Sequence, residues 1–209
     1  MAEDDIVREL NFSDKVIRIH QQSVGDVNSI VWDSALVCCH YFAKCESAFR
    51  NLKVVELGAG TAICSIVLAS LGCDVTATDL PSYLPLVEKN ISANSEVIAK
   101  SEALVLPNHS TGLRQRRSAE SAIFFFWSTA SITSPIDPLI QTIRSFNAKR
   151  ILCAYEVRDC GQPVDAQRLF SQLITKHYDV QDVPTGDLDP LFQCPEILVQ
   201  ELVPKIDSV

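Results

Sequence analysis

A short apolar run, Lys53-Val54-Val55-Glu56-Leu57, stops at Gly58-Ala59-Gly60-Thr61, and a second run, Asp74-Val75-Thr76-Ala77-Thr78, stops at Asp79. These residue types at this spacing do a particular kind of chemistry. Glycines let backbone approach a ligand that any side chain would hit. A helix opening just after them offers unpaired N–H groups. A carboxylate at the tip of the next strand accepts both hydroxyls of a ribose. Together they specify a nucleoside-bearing cofactor at the C-terminal edge of a sheet. A dinucleotide fingerprint needs a third small residue where Ile63 stands. Glu56 separates the candidates further, because it repels a pyrophosphate and attracts the ammonium and sulfonium groups of S-adenosylmethionine (SAM). Two unit charges about 4 Å apart at an effective dielectric near 20 interact by roughly 4 kcal/mol, enough to discriminate. SAM is therefore the expected cofactor, and a structural turn without one is the bland alternative.

The elements that must position these residues follow from periodicity. Lys15 to His20 alternates apolar and polar residues and reads as an edge strand. Val31-Trp32-Asp33-Ser34-Ala35 leads into a helix reaching about Ala43. After the strand Lys53–Leu57, Thr61 is the expected cap of a buried helix, Ala62 to Leu71, closed by Gly72. The strand ending at Asp79 precedes a helix opening at Pro81 and reaching about Asn94, and Ala103 to Leu106 is a third strand candidate. A helix over 137–146, the strand Arg150–Tyr155 and a helix from about Asp165 to Lys176 continue the alternation. The strands Tyr178–Val183 and Ile197–Val203 lack an intervening helix and so imply an antiparallel hairpin at the sheet edge. Alternating strands and helices imply a parallel sheet with crossover helices.

Composition sets the outer limits. The chain has 209 residues, 47% of them hydrophobic and 21% charged, an ordinary globular balance that excludes global disorder. No apolar run reaches the roughly 18 residues of a membrane span. The acidic start Met1-Ala2-Glu3-Asp4-Asp5 is unlike a leader peptide, and a net charge of -8 lacks the footprint of a nucleic-acid binder. A cytoplasmic protein with neither nucleic acid nor membrane as partner is expected. The eight cysteines include no C-x-x-C pair, and the four histidines are scattered, so buried free thiols are expected and no metal site. Arg114-Gln115-Arg116-Arg117 reads as a solvated loop.

Five segments carry a resemblance to a known family: Val31-Trp32-Asp33-Ser34-Ala35, Val55-Glu56-Leu57-Gly58-Ala59-Gly60-Thr61, Thr78-Asp79-Leu80-Pro81, Glu88-Lys89-Asn90-Ile91 and Ala154-Tyr155-Glu156-Val157-Arg158. The chain resembles the family-16, seven-β-strand methyltransferases, especially the protein-lysine methyltransferases related to those acting on Hsp70 and on valosin-containing protein. The glycine motif alone marks only a SAM fold; its combination with V-W-D upstream and Y-E-x-R downstream is more specific. The resemblance implies a Rossmann-like class I α/β fold, a seven-stranded mostly parallel sheet with an antiparallel edge strand and helices on both faces. Residues 1–22 are then an N-terminal extension and 23–209 the methyltransferase domain. It also implies SAM-dependent methylation of a lysine on a protein partner, with a chaperone or AAA ATPase as the partner class that the resemblance suggests. Trp32 inherits a place lining the SAM pocket, with a core anchor as its bland alternative. Gly58, Ala59 and Gly60 pass under the methionine part, Glu56 orients the amino group, Asp79 holds the ribose and Leu80 borders the adenine. For Asp79 the alternative is a helix-capping carboxylate. Tyr155, Glu156 and Arg158 shape the acceptor site by resemblance, against a surface ion pair beside a half-buried tyrosine.

One stretch, 107–134, departs from the family. The Trp expected after the third strand is replaced by Leu106-Pro107-Asn108, and Phe124 to Thr133 lacks the Asp-x-x-Tyr type motif that lies near the acceptor amine. Joining the last base of each codon to the first two of the next, from Phe126 onward, permits Leu-Val-Asp-Cys-Val-Tyr-Tyr, the missing motif. The stretch is therefore expected to be out of frame relative to the family; a message in frame through Phe126 to Ser134 removes that idea. Rival expectations are a catalytically impaired SAM-binding or partner-binding domain and a small-molecule methyltransferase.

Overall fold

The structure, a computed structural model, describes residues 5–22, 29–99, 105–109, 121–126 and 136–205. Its elements in chain order are β1 (Asp5–Phe12), β2 (Lys15–Gln22), α1 (Asp33–Lys44), α2 (Glu46–Phe49), β3 (Lys53–Leu57), α3 (Ile63–Ser70), β4 (Asp74–Asp79), α4 (Leu84–Ala93) and α5 (Ser95–Ala99). Then follow β5 (Val105–His109), β6 (Ser121–Phe126), α6 (Ile136–Ser145), β7 (Arg150–Glu156), α7 (Gln162–Ile174), β8 (Tyr178–Asp182) and β9 (Ile197–Pro204). Seven strands form one sheet in the order β5-β4-β3-β6-β7-β9-β8. The chain winds outward from β3 to β5, then returns to the other side of β3 for β6. That reversal opens a crevice beyond the carboxyl ends of β3 and β6, where ligands of open α/β sheets bind.

Strand alternation divides the core in two. Val54 packs with α1 and α3, joined by Val87 of α4, while Val55 and Leu57 pack with Ile140 and Ile143 of α6 and Phe170 and Ile174 of α7. Helix α3 is buried at every position, as expected of a crossover helix pressed between the sheet and α1. Among the described residues no helix is long and apolar enough to cross a membrane.

Several expectations need correction. Lys15–His20 lies in β2, yet it does not edge the main sheet; it pairs antiparallel with β1, and this hairpin buries Phe12, Ile17 and Ile19 against the α1 and α3 core. The antiparallel strand β9 is not the edge either. It sits between β7 and β8 and runs against both, so the edge strand β8 points the same way as β7. Thr61 does not cap α3: the N-cap position is Ala62, with φ 59 and no side-chain cap bond. Helix α4 opens at Leu84 with Pro85 in its first turn; Pro81 belongs to the preceding turn. The third strand is Val105–His109, and Ala103 and Leu104 lie outside the described residues. So do Arg114–Arg117, Trp127 and most of the atypical stretch, residues 110–120 and 127–135.

Candidate functional site

Because β3 alternates, Glu56 points to the same side as Val54, into the layer of α1 and α3, where it is only 1% exposed. A carboxylate there needs partners. Its Oε2 accepts the backbone N–H of Ser65 at 3.0 Å and also the Ser65 hydroxyl. Ser65 is the third residue of α3, so a strand carboxylate satisfies a helix-end donor that a cap side chain ordinarily would, and its charge suits the positive end of the helix. Burial nevertheless pushes the carboxyl up to about 7, with the Ser65 bonds opposing the shift and the nearby Asp79 adding to it. Oε1 has no hydrogen-bond partner among the described residues. Glu56 forms part of the lining of a narrow cleft of about 50 Å³, together with Ile30, Trp32, Ala35, Ala59 and Thr61.

The loop over this cleft is bent by backbone conformation. Gly58 and Gly60 hold φ 72 and 53, the left-handed region open to glycine. Ala62 holds φ 59 without that freedom, a strained position adjoining the cleft. The tip of β4 stitches the loop down: Thr78 Oγ1 donates to the Glu56 carbonyl at 2.7 Å, while the Gly58 and Ala59 N–H groups donate to the Thr78 carbonyl at 3.0 Å each. Asp79 Oδ2 accepts the Gly60 N–H and Oδ1 accepts the Leu80 N–H, both at 2.7 Å. Leu80, 58% exposed, stands beside it at the rim.

Thus the structure brings Trp32, Glu56, Gly58, Ala59 and Gly60 together around one cleft, with Asp79 tied to its loop. Tyr155, Glu156 and Arg158 are gathered separately at the end of β7. Tyr155 packs on the opposite, α6 and α7, face, and its hydroxyl donates to Gln200 Oε1 at 3.2 Å. Burial pushes its phenol up to about 12. Glu156 and Arg158 form a half-exposed ion pair at 2.6 Å, braced by Gln167, whose amide donates to the Glu156 carbonyl at 2.6 Å and accepts the Arg158 N–H at 3.2 Å.

Three residues that sequence patterns left unassigned complete the site. Ser65, polar inside an apolar helix, holds Glu56; Thr78 locks the loop; and Asn90 on α4 donates to the Thr61 carbonyl at 3.0 Å. The available signal was a polar residue on a buried stripe, which requires a partner. Cys39 and Cys64 approach to 3.5 Å but all eight cysteines are free, and among the described residues no His, Cys, Asp and Glu group is placed to hold a metal.

Residues 11–177 match the family described as lysine methyltransferase. The Xenopus tropicalis protein "EEF1A lysine methyltransferase 3" is 52% identical over 64 residues, covering 31% of this chain and 29% of its own length. The Bos taurus "Protein-lysine methyltransferase METTL21E" is 43% identical over 93 residues, covering 43% of this chain and 31% of its own. The aligned segments thus span less than a third of either relative. Among solved structures, a SAM-dependent methyltransferase from Agrobacterium tumefaciens superposes with a TM-score of 0.59 at 12% identity, over 95% of this chain and 70% of that one. At that identity the likeness concerns the fold, a Rossmann-like class I methyltransferase.

Proposed function

This chain belongs to the lysine methyltransferase family, and we propose that it transfers a methyl group from SAM to a lysine of a protein partner in the cytoplasm. The observation that carries the proposal is the buried Glu56 carboxylate, one oxygen pinned by Ser65 and the other without a hydrogen-bond partner among the described residues, beside the cleft. A buried carboxyl raised to about 7 ionises readily only beside a cation, and the amino-acid end of SAM presents one. The fit extends along the motif. Glu56 would hold the ammonium and Trp32 would wall the cleft. Gly58, Ala59 and Gly60 leave space for the chain of the donor. Asp79, at the tip of β4 and tied to the loop at Gly60, would accept the ribose hydroxyls, and the exposed Leu80 would offer an apolar surface to the adenine. The narrow cleft takes the slender end of such a molecule, and the rim at β4 takes its nucleoside.

SAM supplies a methyl group activated by a positively charged sulfur. The protein's part is to align the acceptor and exclude water. A lysine amine, with a reference pKa near 10.4, must arrive neutral, and an apolar mouth favours the neutral form. Tyr155, Glu156 and Arg158 would shape the acceptor side. The acceptor belongs to the chaperone or AAA ATPase class by the family resemblance, and the name of the Xenopus relative adds EEF1A as a further candidate.

A second reading, SAM binding without transfer, is favoured by one observation: Phe124 to Thr133 lacks the Asp-x-x-Tyr type motif of the family. Labelled SAM added to a cell lysate with the chain separates the possibilities. Label in a protein band, lost with Glu56→Gln, supports protein methylation. Label confined to small molecules makes the chain a small-molecule methyltransferase. Thermal stabilisation by SAM with no transfer at all selects the silent domain.

A further inference from the structure

Asn90 joins two parts of the molecule that are far apart in sequence. It is wholly buried on α4 and uses both amide N–H groups and its oxygen. Oδ1 accepts the His20 N–H at 2.7 Å, while Nδ2 donates to the His20 carbonyl and to the Thr61 carbonyl, each at 3.0 Å. One turn later Asn94 repeats the first two contacts: Oδ1 accepts the Arg18 N–H at 2.9 Å, and Nδ2 donates to the Arg18 carbonyl at 2.7 Å. The spacing is no accident. Four helical residues rise about 6 Å, and two strand residues advance about 6.6 Å. Two amides at i and i+4 therefore pair with the outward backbone groups of Arg18 and His20, as a neighbouring strand would. They satisfy the edge of β2 that β1 leaves open.

The two asparagines differ in one respect. The second donor of Asn94 bonds back to the Asn90 carbonyl within α4, whereas that of Asn90 reaches the loop over the cleft. Its target, the Thr61 carbonyl, lies between Gly60 at φ 53 and Ala62 at φ 59. Left-handed backbone at a residue with a Cβ is intrinsically unfavourable, so this turn persists only where its surroundings hold it. Asp79 holds the turn at the Gly60 N–H and Asn90 holds it at the Thr61 carbonyl.

We propose that Asn90 is a positioning residue through which the docked N-terminal hairpin holds the glycine loop in its donor-binding conformation. Loss of the Asn90 anchor then costs SAM affinity, whereas loosening the hairpin at Asn94 alone does not. The proposal deepens the function given above and rests on it, but it also has consequences without any donor.

Asn94 supplies the control. Asn90→Ala and Asn94→Ala each remove a pair of hairpin bonds, and only the first releases Thr61. Both variants should lower Tm to a similar degree. Asn90→Ala should weaken SAM binding at least fivefold by calorimetry and speed hydrogen exchange at the Gly60 and Ala62–Ile63 amides at least tenfold. Asn94→Ala should leave both within about twofold of wild type. Should Asn90→Ala fail to fold, Asn90→Ser, which cannot span both carbonyls, takes its place with the same expectations. Equal effects from the two positions, or a folded Asn90 variant with unchanged loop exchange, overturn the proposal. Absence of SAM binding to the wild type would sink the donor assignment instead, and the exchange comparison would still decide the role of Asn90.

Discussion

The proposed donor side and the proposed acceptor side of this molecule are built differently. Around the glycine loop the contacts run between side chains and backbone: the buried Glu56 to the Ser65 N–H, Thr78 to the Glu56 carbonyl and Asn90 to the Thr61 carbonyl, and the half-buried Asp79 to the Gly60 N–H. At the end of β7 the ion pair of Glu156 with Arg158 is half-exposed, Tyr155 meets Gln200 through side chains, and the backbone of Glu156 and Arg158 is held by the part-buried contacts of Gln167. Buried contacts to backbone fix a conformation, because a lost partner strands a desolvated group. A half-exposed ion pair contributes roughly 0–1 kcal/mol, so its geometry yields easily. A firmly held cleft beside a more yielding rim is what the proposed reaction, with one fixed donor, would use.

The contrast can be broken in a graded series. Asp79→Ala removes both a ribose acceptor and the tether of Gly60, and should weaken SAM binding by about 1.5–3 kcal/mol, roughly 10- to 150-fold by calorimetry. Unchanged affinity would mean that the ribose assignment is wrong. The next effect comes from pH. Folded Glu56 titrates near 7 and its unfolded reference is 4.5, so the unliganded protein binds this proton more tightly than the unfolded chain does. That stabilising contribution is complete below pH 4.5 and is lost as pH rises through 7. SAM binding has the opposite sign, since the ammonium needs the ionised carboxylate. Affinity should fall by up to about tenfold per pH unit below 7 and level off above it, and Glu56→Gln should flatten the profile.

On the acceptor side the effects shrink and change character. Tyr155→Phe removes the bond to Gln200 and should slow transfer to protein while leaving SAM affinity within about twofold, a split visible in kcat against the donor Kd. A matching loss of donor affinity would merge the two sides. Arg158→Ala should change stability by no more than about 1 kcal/mol and donor affinity not at all, as read by denaturant titration and calorimetry.

How much of this was legible in sequence follows the same division. The strand, loop, helix and strand from Lys53 to Asp79 could be read because every positioning signal is local: β-branched runs, two glycines, and a carboxylate at each strand end. Features that depend on distant contacts were hidden. The cap of α3 comes from Glu56, nine residues before Ser65, so Thr61 looked like the natural cap. The open edge of β2 is covered by amides from α4, seventy residues away for Asn90, so alternation in Lys15–His20 suggested the edge of a larger sheet. The reversed pair β8 and β9 was recognised from the missing helix, but nothing local states which of the two strands inserts beside β7. The stretch 107–134 carries no family motif to read.

The central claim is that Glu56, whose Oε1 has no hydrogen-bond partner among the described residues, binds the cationic end of the proposed donor. Titration calorimetry with SAM at pH 6.5, repeated in buffers of different ionisation enthalpy, tests it most directly, because the carboxyl is then largely protonated while the donor's amino group, with a reference pKa near 8, stays charged. Binding should release about 0.5–1 proton per molecule, and Glu56→Gln should abolish the release and weaken the affinity. Binding without proton release, equally tight in Glu56→Gln, would contradict the claim.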